Sequence, residues 1–329
     1  MPLSMKKMLL LVKEETVSGT DAVPTAPLNA ILCRGLTPRL ISAEFVDRTL
    51  IVPYKGADTK LAVGVHRMFE CEIELAGSGT AGTAPKWGPL LKACGFSQTI
   101  SAGISTVYAP VSSGEPTVTM YGYLDGVLFK LTGAKGTVSF SLTAKGIPTM
   151  SFRFLGEYSE PTDTAFPTGA DFSGFLQPRT VGKLNTPTFS FMGVSAAMQS
   201  LTLDIANDLT YRDLVGGGGP SSPDRNPAGS CVIEMTTVAA KNWAADVRNG
   251  TTGAVNLVHG STAGNIIQLD MPKVQLTGEP TLPGQRQRRE RQRPSHPDRQ
   301  VTPPPPPSKA THRGGFFSFL DHHVHSYPH

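Results

Sequence analysis

Side chains that alternate with period two predict a mainly β protein, built as two tandem antiparallel β-sandwich or barrel domains, each with one short flanking α-helix. Three observations carry this: the alternation itself, two brief helical segments at matching places, and an internal repeat at an offset of 160 residues. Composition agrees, since the 329 residues include 34 Gly and 28 Pro while charged residues make up 17%. That balance suits many turns between strands better than a helix bundle.

The alternation is plainest from Phe69 to Leu75, where Phe69, Cys71, Ile73 and Leu75 are apolar and Glu70, Glu72 and Glu74 lie between them. Val138, Phe140 and Leu142 alternate with Ser139 and Ser141, Phe152 and Phe154 flank Arg153, and Leu201, Leu203 and Ile205 flank Thr202 and Asp204. Each pattern describes a strand with one packed face and one polar face, which antiparallel sheets use. The start, from Lys6 to Val12, has the outline of a signal peptide. Its apolar run is short, and Lys13, Glu14 and Glu15 follow with no small-residue cleavage site, so it reads as a first strand.

One helix is predicted after Pro85, with Pro89 suited to its first turn, Leu90, Leu91 and Cys94 on one face, and Gly95 as its stop. The second runs from about Val238 to Asn249, with Trp243, Ala244 and Val247 as its apolar face and Gly250 ending it.

The repeat aligns Glu44-Phe45-Val46-Asp47 with Asp204-Ile205-Ala206-Asn207, and at the same offset Cys71 to Leu75 with Cys231 to Met235. Each copy then enters a helix that carries Trp87 or Trp243. The expected division is a first domain over 1–160, a Pro/Gly-rich connection over 161–187, a second domain over 188–282, and a tail over 283–329.

Charge separates along the same lines. Eight basic and three acidic residues from Pro283 onward give the tail +5, which leaves −1 for residues 1–282 out of the overall +4. The sequence pI of 8.8 therefore belongs to the tail, and the body offers no global basic surface for nucleic acid. Cys33, Cys71, Cys94 and Cys231 are widely spaced, with neither a CxxC pair nor a disulfide framework, and read as buried thiols. No apolar run is long enough to cross a bilayer, and no membrane partner is expected.

Motifs for chemistry are sparse. Gly77-Ser-Gly79-Thr-Ala-Gly82 fits GxGxxG between a strand and a helix, which raises a nucleotide-binding enzyme as an alternative from a different class. The preceding strand is half polar, however, and no Asp or Glu lies between Glu74 and Glu115 to take a ribose. The body holds only His66 and His259, each isolated, and Asp204, Asp208 and Asp213 read as strand and loop surface. No catalytic group, cofactor or metal is called for.

Several segments resemble the two-domain tail tube proteins of long-tailed bacteriophages. They include Ala26 to Leu32 with Leu36-Thr37-Pro38, Ala43 to Arg48, the run from Glu74 through Gly77, Pro85 and Trp87 to Gly95, and Asp125 to Gly136. Gly250 to Gly253, His259-Gly260 and Pro272 to Thr277 continue the likeness, which covers about 1–282. The resemblance implies β domains that join edge to edge into rings, the rings stacking into a hollow tube for DNA delivery in a virion assembled in the bacterial cytoplasm. Two domains per chain imply trimeric, pseudo-hexameric rings, with hexamers as the alternative. Tape-measure and tail terminator proteins are the implied partners, and phage DNA passes non-specifically through the lumen. Another ring-forming tail protein, a terminator or baseplate hub, is the nearest alternative.

Two sites follow as expectations. Glu70, Glu72 and Glu74 share one face and are candidates to line the lumen, where they would repel phosphates. Pro53, Tyr54, Lys55, Gly56, Ala57, Asp58 and Thr59 lie in a long loop that is a candidate contact between rings, with Val215 to Pro227 as its flexible counterpart. The tail beyond Pro283 joins an Arg-rich run, a polyproline run from Pro303 to Pro307, and a terminal cluster of His322, His323, His325 and His329. Its composition predicts disorder. Suitable codons for Leu282 to Val301, read one base out of phase, spell a stretch closer to the family, so a frameshift, programmed or accidental, is a second origin for it.

Overall fold

The computed structural model describes residues 4, 6–278, 311–312, 316–319 and 323–326. Strands dominate, and every pairing between them is antiparallel. The chain opens with β1 (Met8–Glu14), whose Leu9 to Val12 are buried, so the apolar start is a core strand. A single helical turn, α1 (Ala26–Asn29), leads into β2 (Ala30–Ile31), β3 (Gly35–Pro38) and β4 (Ser42–Asp47). The long β5 (Lys60–Glu74) pairs with β3 and β4 along one side. Next come α2 (Gly88–Ala93), β6 (Phe96–Ser101), β7 (Ser105–Pro110) and β8 (Val118–Leu124).

Strand β9 (Val127–Thr143) is the hinge of the architecture. Its first half pairs with β8, which pairs in turn with β1. Its second half lies between β10 (Thr149–Tyr158) and β13 (Met198–Asp204), so one continuous sheet passes from the first half of the chain into the second. The short β11 (Thr162–Asp163) and β12 (Thr188–Phe191) bracket the connecting segment. Then follow β14 (Thr210–Leu214), β15 (Gly217–Ser221), β16 (Ala228–Glu234), α3 (Trp243–Asn249), β17 (Thr252–His259) and β18 (Ile267–Leu276).

The larger of the two core clusters draws on both halves. Phe69, Cys71 and Ile73 of β5 join Phe140 and Leu142 of β9, Leu201 and Leu203 of β13, and Leu257 and Leu269 of the β17–β18 pair. Leu90 and Leu91 of α2, and Cys94 at its C-cap, are fully buried against it, each leucine accounting for roughly 2–5 kcal/mol on truncation to alanine. Gly250 stands at φ 63° after α3, the left-handed position that ends a helix. The second helix begins at Trp243, with Asn242 as a side-chain cap bonded to the Ala245 amide, which is later than the periodicity predicts. All four cysteines are free thiols; Cys33 is partly exposed and the other three are buried.

One expectation meets a different structure. The Gly-rich stretch from Val215 is not an open loop, because β14 and β15 form a hairpin folded back on the body. Tyr211 stacks on His66 with ring centroids 5.2 Å apart. The glycines allow close strand approach: a Cβ at Gly218 would sit 2.5 Å from the Arg212 carbonyl oxygen. In the tail the described residues form three short strands, β19 (Thr311–His312), β20 (Phe316–Phe319) and β21 (His323–Ser326), and the rest of the stretch for which disorder is expected lies outside the described residues. The Arg-rich run, the polyproline run and the stretch for which a frameshift is considered lie outside the described residues.

Candidate assembly surfaces

The polar face of the central sheet follows directly from pairing register. Glu70, Glu72 and Glu74 do share one face of β5, and their neighbours on β10 are Arg153, Ser151 and Thr149. The rows continue: Ser151 faces Ser139 of β9, and Thr149 faces Ser141. Ser139 then faces Asp204 of β13, and Ser141 faces Thr202, which is opposite Ser230 of β16. The hydroxyls of Thr202 and Ser230 are 2.7 Å apart. An open groove of about 650 Å³ runs along this face.

Electrostatics of the face are milder than three glutamates suggest. Arg39 pairs with Glu70 at 3.1 Å, and Arg34 lies 3.8 Å from Glu72. All four side chains are 40% exposed or more, so these pairs are solvent-screened and contribute little to stability. Hydroxyls dominate instead. The alternation of Thr137 to Thr143 signals a polar strand face, but only the register places it beside the glutamates.

A second surface is a two-stranded arm. Residues Glu44 to Asp47 of β4 pair with Lys60 to Val63 of β5, and the candidate loop Pro53 to Thr59 forms its tip. Asp47 and Lys60 pair at 3.0 Å, and the Leu50 amide donates to Asp58 across the loop. The arm is bare of core. Phe45, Val46, Leu61, Ile51 and Tyr54 are all exposed. An isolated two-stranded ribbon is marginal in water, so this apolar arm lacks the support that packing gives the rest of the sheet.

Its root is specified by contacts with both halves. Gly64 stands at φ 59° within β5, and its amide donates to the Asp213 carboxylate of β14 at 2.9 Å. Next to it Arg67 is fully buried. Its guanidinium donates to the carbonyls of Leu40 and Lys130 and lies over the rings of Phe129 and Tyr158. Burial lowers its pKa from the ordinary value, while the nearby Tyr158 and Glu160 oppose that shift.

The glycines of the GxGxxG run serve packing. The Gly77 amide donates to Asn265 Oδ1 at 2.8 Å, and the Gly79 amide to the Gly264 carbonyl at 2.9 Å. A Cβ at Gly77 would meet the Gly264 oxygen at 2.2 Å, and one at Gly82 the Gly103 nitrogen at 2.3 Å. Donors that a dinucleotide phosphate would need are thus spent on the β17–β18 turn, and protein backbone fills the space.

A family model described as phage tail tube protein matches residues 6–297, which is nearly the whole body and the start of the tail. A search of curated proteins finds no match. The family is a structural, non-enzymatic one, and its members belong to the virion tail and associate with copies of themselves. Among the described residues no helix is long and apolar enough to cross a membrane. With a mainly β fold and a match over most of its length, this chain belongs to the phage tail tube protein family.

Proposed function

We propose that the chain assembles into rings that stack as the tail tube, forming the channel through which DNA leaves the virion. The observation that supports this most is the pair of unlike surfaces on one sheet system. A broad polar face with hydroxyl rows suits a channel wall to which DNA does not adhere, since Ser and Thr add no positive charge and the net acidic balance repels phosphates. Glu70, Glu72 and Glu74 then line the lumen, with Arg34 and Arg39 moderating their field. An apolar arm without a core suits insertion against another copy, and its tip, Pro53 to Thr59, contacts the next ring.

Two tandem domains, 1–160 and 188–282, would let three chains supply six quasi-equivalent positions around a ring, with six whole chains as the alternative arrangement. Free sheet edges completed by neighbouring copies give a closed barrel its stability. Tape-measure and terminator proteins set tube length and closure in this reading, and assembly takes place in the bacterial cytoplasm. Negative-stain microscopy of the concentrated full chain tests it. Stacked rings are expected, and deletion of 53–59 should leave rings that fail to stack into long tubes. Tubes of unchanged length from the deleted chain would remove the loop from the proposal.

A further inference from the structure

In the internal repeat, Glu44 to Asp47 of β4 matches Asp204 to Asn207 at the end of β13, which sets Asp47 in one half against Asn207 in the other. Each has a basic residue directly opposite it in antiparallel register. Asp47 faces Lys60 of β5, and Asn207 faces Arg225 in an isolated bridge ahead of β16. Both pairs are closed. Lys60 Nζ lies 3.0 Å from Asp47 Oδ1, and Arg225 Nε donates to Asn207 Oδ1 at 2.9 Å. The same arrangement, a cation held across the ladder by a short side chain, thus occurs twice.

The two pairs differ in what they touch. Asn207 is 7% exposed, and its Nδ2 donates to the carbonyls of Cys94 and Gly136, each at 2.8 Å. Arg225 Nη2 donates to the carbonyls of Gly95 and Val111, each at 3.1 Å. Cys94 and Gly95 follow α2, so this pair from the second half closes over the C-terminal end of the first half's helix. The last carbonyls of a helix lack intrahelical donors and favour a cation. The contact stands beside the β9–β13 ladder that joins the two halves. The Asp47 and Lys60 side chains, by contrast, are 60% and 58% exposed.

Helix α3 offers the matching receiver. Gly250 follows it at φ 63°, as Gly95 follows α2 at φ 80°. Gly95 is buried, and a Cβ there would meet Arg225 Nη2 at 2.4 Å, whereas Arg248, Asn249 and Gly250 are exposed. Two residues before its glycine α2 has Ala93, where α3 has Arg248. Asp47 in place of Asn207 and Arg248 in place of Ala93 are complementary changes. A carboxylate cannot donate to a carbonyl as the amide does, but it can accept from an arginine.

We propose that the Asp47–Lys60 pair of one copy docks on the C-terminal end of α3 in the neighbouring copy of a ring, Lys60 donating to the last helix carbonyls and Asp47 pairing with Arg248. The contact reproduces between chains the one that Asn207 and Arg225 make within the chain. It rests on the ring-forming reading and names the surfaces that meet.

Sedimentation velocity of the full chain over rising concentration tests it, comparing the parent with Asp47→Arg, with Arg248→Asp and with both changes together. Each single change sets like charges against each other and should raise the concentration for ring formation severalfold. The double exchange restores opposite charges and should return it close to the parent's. Dilute variants should keep the parent's Tm, because both side chains are exposed. Single variants that assemble like the parent overturn the contact. So does a double variant no better than the worse single one, while the tube reading stands on the parent's rings. A parent that stays monomeric at all concentrations overturns the tube reading and this contact with it. Lys60→Cys with Thr251→Cys decides the matter where a charge variant loses its fold. Under mild oxidation its rings should give a ladder of covalently linked copies on a non-reducing gel, with none from either single cysteine variant. Assembled rings without that ladder overturn the docking.

Discussion

Trp87 donates its indole N–H to the carbonyl oxygen of Ala76 at 2.9 Å, tying the start of α2 to the chain two residues beyond the end of β5. Trp243 makes the counterpart tie in the second half, where its indole reaches Thr236 Oγ1 at 3.0 Å, two residues beyond β16. The two ties differ in burial. Trp87 and Ala76 are buried, whereas Trp243 and Thr236 are half-buried. Trp87→Phe keeps most of the apolar volume but orphans a buried carbonyl, with an expected loss of about 1–3 kcal/mol. Trp243→Phe should cost less, because the Thr236 hydroxyl can turn to water. Urea denaturation of both variants checks the order, and equal losses would contradict it.

Glu15 offers a sharper test of polar satisfaction. Its carboxylate is 8% exposed and accepts four bonds, from Thr117, Thr119 and the amides of Gly19 and Gly133. Glu15→Gln is nearly isosteric, yet it places an NH2 where one of two backbone amides also donates. A threonine hydroxyl can reverse its role; a backbone N–H cannot. The expected cost is about 1–3 kcal/mol despite unchanged shape. A Tm equal to that of the parent would show that the loop at Gly19 moves aside instead.

Much of this fold was legible locally. Alternation located β5, β9, β10 and β13, and Gly95 and Gly250 marked the helix ends, because side-chain period and backbone handedness are properties of short stretches. Pairing was not legible. Nothing in Ser139 or Asp204 alone says that β9 and β13 lie side by side, and so the hydroxyl rows beside Glu72 appear only with the register. The Gly-rich runs misdirect for a related reason. Glycine at 77, 79 and 218 permits close backbone approach, and sequence does not reveal whether a phosphate, solvent or another strand makes that approach.

The arm should respond to its root. Asp213→Ala removes the acceptor for the Gly64 amide and leaves the rest of β14 in place. Limited proteolysis is expected to cut faster within 48–59, with little change in global Tm, because the arm adds no core. Gly64→Ala places a side chain at φ 59°, at a cost of roughly 1–2 kcal/mol in local strain. If neither variant alters cleavage at the tip, the arm angle is set elsewhere, with the buried Arg67 as the next residue to change.

The lumen assignment predicts a dissociation between assembly and delivery. Changing Glu70, Glu72 and Glu74 together to Lys leaves the core face of β5 untouched, so rings and tubes should form. The face would then carry three added cations beside Arg34, Arg39 and Arg153, and DNA phosphates should adhere as they pass. Reduced ejection from particles with normal tubes is the expected outcome. Normal ejection would place this face away from the channel.

His259 gives the body a pH dependence whose sign can be worked out. The ring is 2% exposed, with Nε2 3.1 Å from the Arg179 carbonyl and Nδ1 2.9 Å from Thr186 Oγ1. A carbonyl only accepts, so Nε2 carries the proton and, in the neutral ring, Nδ1 accepts from the threonine hydroxyl. Burial holds the pKa below the ordinary 6.5, with the Arg179 bond acting in the opposite sense. The unfolded chain therefore binds a proton near pH 6.5 that the folded chain refuses. Stability from this group is complete above that value and falls as pH drops toward the folded pKa, by at most about 1.4 kcal/mol per pH unit. Denaturation between pH 5 and 7.5 should show this slope in the parent chain and a flatter one in His259→Gln. The same slope in both would mean that other groups carry the acid sensitivity, and that His259 takes up its proton without leaving its bonds.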